Sequence, residues 1–401
     1  MRVAVGLHSY GHASSSGLKT TLTLTLSQKL EREQTGAYMP LFLNNDDIEK
    51  VITMKDTMEA LEILYREMGE GTAITAPRSD VHSPTAAAQN AEGPMAHYLK
   101  SMSGASPHFG TGALRFSSDI VAWRATGGGM RREKLPMLPG NRWMGIVMLF
   151  SSANGELLAI MNDGVLQRFR VGGANGVSTK YLARRNAATV GLIGSGWQAG
   201  TQVMAACEAR RIKKIKVFSP TKANRENFAR ETSERGKVDI TPVDSYEEAV
   251  RDVDIIITST NSRTPFLGKW ALREGIHISA MQRDEFDDGA LLACRPLVLH
   301  THTTENNVTS SALAHFERED FKLRDHPTER GIDWKSLPTL PDLLCGRIKG
   351  RESDSQITGF VNNIGMGAQF AAVGKKVYDA AKAQGLGREV PLDWFTQDVH
   401  P

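Results

Sequence analysis

The segment from residue 189 to residue 200 constrains the fold of this 401-residue chain more than any other feature. An apolar run leads directly into Gly-Ser-Gly-Trp-Gln-Ala, which places the spacing Gly-x-Gly-x-x-Ala between a predicted strand and a predicted helix. There Gly194 permits a tight turn, Gly196 lets backbone approach a pyrophosphate, and Ala199 lets the helix pack closely on the strand. The free N–H groups of the helix start favour phosphates. The alternative is a turn that serves packing alone. We predict that the loop binds a dinucleotide through Gly194, Ser195, Gly196, Trp197, Gln198 and Ala199.

From about residue 171 onward, short apolar segments alternate with helical patterns. This order predicts an α/β fold with a Rossmann-type, doubly wound parallel sheet. The predicted strands are residues 189–193, 215–218, 255–259, 276–280 and 297–300, and the predicted helices are residues 174–186, 197–210, 224–235 and 246–250.

The remaining segments predict a second domain of mixed strands and helices. Helices are expected after Asn44 and after Thr53, the latter ending at Gly69-Glu70-Gly71, and a last helix over residues 367–384. Residues 146–150 and 157–161 predict a hairpin. We therefore expect a Rossmann-type domain over residues 171–330 and a discontinuous α+β domain over residues 39–170 plus 331–401.

Composition is that of an ordinary globular protein, with 40% apolar and 23% charged residues. The net charge of +3 is too small to favour nucleic acid or a membrane surface as a partner. No apolar run approaches the ~18 residues that a membrane-spanning helix needs.

The three cysteines, Cys207, Cys294 and Cys345, show no Cys-x-x-Cys spacing. A disulfide framework and a structural metal site are therefore not expected, and a reducing, cytoplasmic location fits best. Residues 1–38 contain no acid before Glu31. They are interpreted as a disordered or extra tail, as residues ahead of a true start at Met39, or as a targeting segment.

The second nucleotide-domain strand ends at Ser219-Pro220-Thr221-Lys222, without the Asp or Glu that usually binds the ribose 2′-OH of NAD. Ser219 and Thr221 can donate hydrogen bonds to a 2′-phosphate, and Lys222 or Arg225 can neutralise it. The pattern favours NADP over NAD. The alternative for Lys222 and Arg225 is a solvated helix start.

Several marks in one order resemble the ornithine cyclodeaminase/μ-crystallin family over about residues 40–398. They are Arg170 followed by residues 174–183, the loop 194–199, the run from Asp254 to Thr260, residues 278–280 ahead of Asp284, and Gly385-Leu386-Gly387. The resemblance implies ligand binding in a cleft between two domains, a homodimer formed by the substrate domain, and a coenzyme contact at Thr260. Residues 360–365 suggest a longer branch of the family.

By the same resemblance, Arg78, Arg115 and Arg170 bind the carboxylate of an amino-acid substrate, for which a guanidinium fork is suited. The family pattern after Arg170 is a threonine, and here it is Val171. Arg115 stands where relatives usually have a lysine, so it is expected to bind charge and not to transfer a proton. The alternatives are a surface ion pair for Arg170 and loop arginines for the other two.

Asp284 is the candidate catalytic acid or base, because it follows a strand at the ligand-binding edge of the sheet. Asp287 and Asp288 are rivals, and a solvated acidic loop is the alternative. Asn162 and Asp163 are weaker candidates for contact with the substrate amine. His300, His302 and Cys207 are interpreted as structural.

Three functions remain open at this point. The first is an NAD(P)-dependent oxidoreductase acting on the C–N bond of a small amino or imino acid. The second is a cyclodeaminase of a basic amino acid such as ornithine, in which hydride leaves and returns and ammonia is lost. The third is a non-catalytic NADP-dependent binding protein.

Overall fold

A computed structural model describes residues 39–87, 94–126, 129–262, 264–302, 307–310 and 331–399. The predicted N-terminal tail, residues 1–38, lies outside the described residues. The chain divides into two compact units. The larger unit spans Leu41–Arg388, and the described part of the smaller unit contains a one-turn 3-10 helix at Leu392–Trp394.

Helices and strands are numbered here in chain order. The helices are α1 (Asn45–Val51), α2 (Met54–Glu70), α3 (Asp163–Leu182), α4 (Ala199–Ala209), α5 (Lys222–Gly236), α6 (Tyr246–Val250), α7 (Asp288–Ala293), α8 (Leu340–Leu344) and α9 (Gly367–Ala383). The strands are β1 (Leu41–Leu43), β2 (Ile74–Thr75), β3 (Ser79–Ser83), β4 (Met95–Ser106), β5 (Thr111–Thr126), β6 (Gly129–Leu135), β7 (Met144–Ser151), β8 (Leu157–Asn162), β9 (Thr189–Ile193), β10 (Lys214–Phe218), β11 (Asp239–Pro242), β12 (Ile255–Thr258), β13 (His277–Ala280), β14 (Leu297–Leu299), β15 (Asn307–Ser310), β16 (Thr358–Val361) and β17 (Arg388–Glu389). Within the described ranges, no helix combines the length and apolarity needed to cross a bilayer.

Seven of the described strands form a parallel sheet in the order β11-β10-β9-β12-β13-β16-β14. Each neighbouring pair is parallel. Strands β12, β13 and β16 are buried along their whole length, as expected when helices cover both faces of a sheet. The strand order reverses between β9 and β12, and ligands bind such sheets beyond the carboxyl ends of the strands at this switch point. The predicted α/β class and doubly wound sheet are confirmed.

The second sheet, called the large sheet below, consists mainly of antiparallel strands and runs β3-β4-β5-β7-β8-β1 through its centre. Strands β7 and β8 form the predicted hairpin. Helix α9 packs on β4 and β5 and covers one face, called the inner face. Because side chains alternate along a strand, Arg115, Ser117 and Asp119 of β5 lie together on this inner face, and all three are buried.

Side-chain caps place the first two helices where the sequence predicts them. The side-chain oxygens of Asn44 and Thr53 accept hydrogen bonds from the backbone N–H groups of Asp47 and Asp56. Helix α2 ends at Gly71, whose φ of +80° lies in the left-handed region that glycine tolerates.

Helix α3 corrects the prediction that this helix begins at residue 174. Asn162 caps it and the helix begins at Asp163. Gly172 and Gly173 lie inside it, and an added Cβ at either would collide with α4 or α2. These glycines therefore permit close helix packing instead of ending the helix. As a result Arg170 lies within α3 and not ahead of it.

The predicted domain boundaries at residues 170/171 and 330/331 stay a prediction. Helix α3 runs across the first boundary. Strand β16, which lies beyond residue 330, belongs to the parallel sheet, whereas β15, which precedes it, pairs with β3 of the large sheet. Each sheet therefore contains strands from both predicted ranges.

Candidate active site

The glycine loop follows β9 at the switch point of the parallel sheet. Gly194 has a φ of +108°, and an added Cβ would lie 2.3 Å from the carbonyl oxygen of Ser259, so glycine is required there. At Gly196, by contrast, an added Cβ would meet no atom within 4 Å. Helix α4 begins just after the loop, at Ala199, whose N–H already donates to the Gly196 carbonyl oxygen at 3.0 Å. Among the described residues, the N–H groups of Gly196, Trp197 and Gln198 donate to no backbone oxygen, so they are available to an anion. The loop therefore has the room and the donors that a pyrophosphate needs.

Trp197 and Gln198 connect this loop to α4. The Trp197 ring is 55% exposed, and the guanidinium carbon of Arg168 lies 5.4 Å from its centroid. The side-chain oxygen of Gln198 is buried and has no hydrogen-bond partner among the described residues. A buried acceptor is costly unless a ligand or water supplies a donor, so this oxygen also fits a binding site.

Ser219 follows β10 and lies beside the glycine loop, with its Oγ 2.8 Å from the Oγ of Ser195. Thr221 and Lys222 at the start of α5 are exposed. Arg225 is buried, donates to the Ser219 carbonyl oxygen at 3.0 Å and pairs with Asp244. Arg225 is thus engaged by protein groups, and Lys222 is the more accessible of the two cations considered for a 2′-phosphate.

Thr260, the last predicted coenzyme residue, follows β12. Its N–H and its hydroxyl each donate to the Glu285 carboxylate at 2.8 Å. Burial raises the pKa of Glu285, and hydrogen bonds from Thr258 and Thr260 act in the opposite direction. Thr260 therefore fixes the backbone that follows β12 through its two hydrogen bonds to Glu285.

A cavity of about 740 Å³ is lined by the inner face of the large sheet, the start of α3 and the end of the glycine loop. Residues from the predicted coenzyme loop and one predicted substrate arginine thus share one space. The lining residues are Asn45, Arg115, Ser117, Asp119, Lys134, Arg142, Trp143, Met144, Gly145, Asn162, Asp163, Gly164, Gln167, Trp197 and Gln198.

Arg115 and Asp163 form an ion pair in the cavity wall. The Arg115 Nε lies 2.8 Å from the Asp163 Oδ2, and Nη2 donates to the same oxygen. An added Cβ at Gly145 would lie 2.1 Å from the Asp163 carboxylate, so that glycine makes room for the acid. Among the described residues, the remaining Arg115 nitrogen, Nη1, has no partner.

A second ion pair lies further along β5. The Asp119 carboxylate accepts from the Lys134 Nζ and, at 3.1 Å, from the Ser117 Oγ. The Asp119 side chain is almost fully buried, while that of Lys134 is 41% exposed. The cavity wall therefore contains alternating cations and carboxylates.

Arg170 is buried behind Gln167, one of the cavity residues. Its Nε and Nη2 donate to the Gln167 Oε1 at 3.3 and 2.8 Å, and its Nη1 donates to the Gln369 Oε1 at 3.0 Å. No carboxylate among the described residues lies within ion-pair distance of this guanidinium. Burial, followed by the cation of Arg115, lowers the pKa of Arg170 to about 9. A buried cation that has only neutral partners is prepared to bind an anion.

Arg78 lies directly before β3 and is held by Asp80, with its Nη2 2.7 Å from the Asp80 Oδ2. Burial alone would raise the pKa of Asp80, but Arg78 and Lys100 outweigh it and lower that pKa. Desolvation, followed by the cations of Arg78, Lys134 and Arg115, lowers the pKa of Lys100 well below its ordinary value. The three predicted arginines are therefore brought into one electrostatic cluster, which also includes Lys100 and Lys134.

Asp284 lies on the 3-10 turn Arg283–Glu285 that follows β13. It is half-buried and is not among the residues that line the cavity. Of its rivals, Asp287 caps α7 by accepting from the Ala290 N–H at 2.7 Å. The catalytic role of Asp284 stays a prediction.

Several residues of the cluster were missed in the sequence: Ser117, Asp119, Lys134, Lys100, Gln167 and Gln369. For β5 a signal existed, because Arg115, Ser117 and Asp119 follow the two-residue period of a strand. His300 is fully buried, with partners in the Tyr65 hydroxyl and the Ile364 carbonyl oxygen. His302 contacts the Leu337 carbonyl oxygen at 2.6 Å.

The sequence profile of the ornithine cyclodeaminase/mu-crystallin family matches residues 136–385. The chain belongs to this family. The resemblance carried by the glycine loop and the motifs around it is thereby confirmed.

Relatives of the chain include a Delta(1)-pyrroline-2-carboxylate reductase of Bacillus cereus, which is 31% identical over 255 residues, 61% of this chain and 74% of that protein. The alanine dehydrogenase of Archaeoglobus fulgidus is 26% identical over 360 residues, 87% of this chain and 98% of that protein. Among solved structures, the Thermococcus litoralis Delta(1)-pyrroline-2-carboxylate reductase in complex with NADH and L-proline has a TM-score of 0.68 and 28% identity, and covers 87% of this chain and 100% of that chain.

Proposed function

We propose that the protein is an NAD(P)-dependent oxidoreductase that acts on the C–N bond of a small amino or imino acid. One observation carries the proposal: the coenzyme loop, through Trp197 and Gln198, and the arginine cluster, through Arg115, line the same cavity. The named activities of the relatives, a cyclic imino-acid reductase and an amino-acid dehydrogenase, support it.

In this proposal the substrate carboxylate binds Arg170. Gln167 now occupies the Nε and Nη2 edge of that guanidinium with one neutral oxygen. A carboxylate offers two charged oxygens to the same edge and makes stronger hydrogen bonds, so it displaces Gln167. In the same proposal, the Nη1 of Arg115, which belongs to the same electrostatic cluster, also donates a hydrogen bond to one of these carboxylate oxygens.

Asp284 holds or releases the proton on the substrate nitrogen in this proposal, because it is a half-buried acid on the turn that directly follows β13, at the ligand-binding edge of the sheet. Glu285 is fully engaged by threonine hydroxyls and backbone N–H groups, so it does not compete for this role. The coenzyme, when bound, accepts or supplies the hydride. The protein contributes orientation and charge.

For the coenzyme we propose NADP ahead of NAD. Ser219 and Lys222 at the end of β10 offer donors and no carboxylate to the 2′ position. The solved structure of the Thermococcus litoralis relative is a complex with NADH. The test of the preference is therefore to measure kcat/KM with NADPH and with NADH under the same conditions.

We also propose a homodimer that forms through the outer face of the large sheet. Alternation places Phe116 and Ile120 of β5 and Ile146 and Met148 of β7 opposite the inner face, where each remains partly exposed. Sedimentation should give twice the chain mass, and Phe116→Glu should give a monomer. A cytoplasmic location is proposed with it, since the cysteines are free.

The functional test is a panel of amino acids and cyclic imino acids incubated with each coenzyme. Net oxidation or reduction of the nicotinamide supports the oxidoreductase. Ammonia release without net redox change would instead indicate a cyclodeaminase. Binding of coenzyme with neither reaction would indicate a binding protein.

A further inference from the structure

A continuous chain of hydrogen bonds joins four separate elements inside the protein. His300, just after β14, contacts the Ile364 carbonyl oxygen through Nδ1 at 2.6 Å and the Tyr65 hydroxyl through Nε2 at 2.8 Å. Gln369 of α9 donates from Nε2 to the Tyr65 hydroxyl at 3.0 Å. The Gln369 Oε1 accepts from the Arg170 Nη1 at 3.0 Å.

Every side chain in this hydrogen-bond network is buried. Tyr65, His300 and Gln369 are 0% exposed and Arg170 is 3% exposed. Buried polar groups are tolerated only when each has a hydrogen-bond partner. Here each side chain is hydrogen-bonded to the next, and His300 at the end contacts the Ile364 carbonyl oxygen. A change in the protonation or orientation of His300 therefore alters the hydrogen bonds of Tyr65, Gln369 and Arg170 in turn, because no solvent can replace a lost partner.

The direction of the hydrogen bonds follows from which atoms can only donate or only accept. The Ile364 carbonyl can only accept, so the His300 Nδ1 carries the proton and the Nε2 is an acceptor. The Tyr65 hydroxyl must then donate to that Nε2, and its oxygen accepts from Gln369. The Gln369 amide is thereby fixed with its oxygen toward Arg170, where it also accepts from the backbone N–H of Met366 at 3.3 Å.

Neutral histidine is required for this arrangement. A protonated His300 would donate from both ring nitrogens, and the Tyr65 hydroxyl proton would have no acceptor. Burial lowers the pKa of His300 to about 3 and raises that of Tyr65, so the chain keeps one direction over the whole physiological pH range.

We propose that Tyr65, His300 and Gln369 are positioning residues, which hold the Nη1 edge of Arg170 so that its opposite edge meets the substrate carboxylate. The inference rests on the proposed function. Gln369 suits the role because its neutral oxygen orients the guanidinium without neutralising it. A carboxylate at this position would form an ion pair with Arg170 and compete with the substrate.

The decisive variant is Gln369→Glu, which keeps the size of the side chain and adds the charge. We expect the KM for the carboxylate substrate to rise at least about tenfold, as charge-assisted hydrogen bonds are lost, with coenzyme Kd unchanged. Tyr65→Phe should raise the same KM by a smaller factor. The matched control is Gln384→Glu, which adds the same charge at the exposed C-terminal end of α9, and it should retain the wild-type KM.

A second measurement is independent of turnover. With ¹⁵N-labelled histidine, His300 should give the tautomer protonated at Nδ1, and Tyr65→Phe should shift the Nε2 resonance. The opposite tautomer, or an active Gln369→Glu with wild-type KM, would overturn the positioning role while the proposed function stands. A wild-type protein with the expected tautomer and no turnover of any carboxylate substrate would overturn the function and the positioning role with it.

Discussion

Replacing Arg170 with methionine should weaken substrate binding and at the same time make the folded protein more stable. The wild-type guanidinium is buried; among the described residues it donates to the amide oxygens of Gln167 and Gln369, and its carbon lies 5.3 Å from the centroid of the Phe370 ring. Methionine keeps an unbranched, flexible side chain and removes the charge. The two effects have opposite signs because the charge serves the ligand and not the fold.

The magnitudes follow from the geometry. A pKa of about 9 for Arg170 corresponds to roughly 5 kcal/mol of destabilisation, caused by burial of its charge and then by the neighbouring cation of Arg115. Against this, the loss of hydrogen bonds to Gln167 and Gln369 costs about 3 kcal/mol. The net gain of about 2 kcal/mol should raise Tm by about 2 °C in a chain of this length. Two lost charge-assisted hydrogen bonds to a carboxylate should reduce kcat/KM by at least about 100-fold.

The sign of the pH dependence can be checked in the same experiment. Because the folded state lowers the Arg170 pKa, the unfolded state binds more protons above about pH 9, and wild-type stability gains from this group as the pH rises further. Below pH 9 the penalty is fully present, and Arg170→Met should lack the dependence. The assay is thermal unfolding with steady-state kinetics, and Arg66→Met, on the half-exposed surface of α2, is the control. A lower Tm for Arg170→Met would show that the buried charge does not destabilise the fold, and an unchanged kcat/KM would show that Arg170 does not bind the substrate.

Three further predictions concern the coenzyme and the acid. Gly194→Ala should abolish coenzyme binding and lower Tm, because its Cβ would collide with backbone, whereas Gly200→Ala has open space and should retain binding in calorimetry. Ser219→Asp should shift the ratio of kcat/KM values toward NAD by at least about tenfold, and an unchanged ratio would contradict its place at the 2′ position. Asp284→Asn should reduce kcat at least about 100-fold with coenzyme Kd unchanged. A nearly full rate in Asp284→Asn, equal to that of a control at an exposed aspartate away from the site, Asp239→Asn, would remove Asp284 from the mechanism.

The glycine loop and the early helix caps could be predicted because their causes are local. The turn after β9 and the caps at Asn44 and Thr53 depend on neighbours a few residues away; the collision of an added Cβ at Gly194 with Ser259 comes on top of that local signal. The start of α3 could not be predicted in this way. Gly172 and Gly173 disfavour an isolated helix, and only the close approach of two other helices makes them an advantage.

The site itself depends on contacts between distant parts of the chain. Arg170 was predicted through a family resemblance, yet Gln369, which orients it, lies far along the sequence in a different helix. Strand β16 was likewise missed, although it completes the parallel sheet between β13 and β14. Its position depends on pairing with strands formed by other segments, and no local pattern encodes that pairing.

The proposed reaction transfers a hydride directly between the nicotinamide and the α-carbon of a carboxylate-bearing substrate. We would use a reduced coenzyme that carries deuterium at both C4 positions, a cyclic imino acid such as Delta(1)-pyrroline-2-carboxylate, and mass spectrometry of the product. One deuterium is expected at the α-carbon of each amino-acid molecule, in equal amount to the coenzyme oxidised. Product without the label, or no affinity for either coenzyme, would rule out direct hydride transfer by this protein.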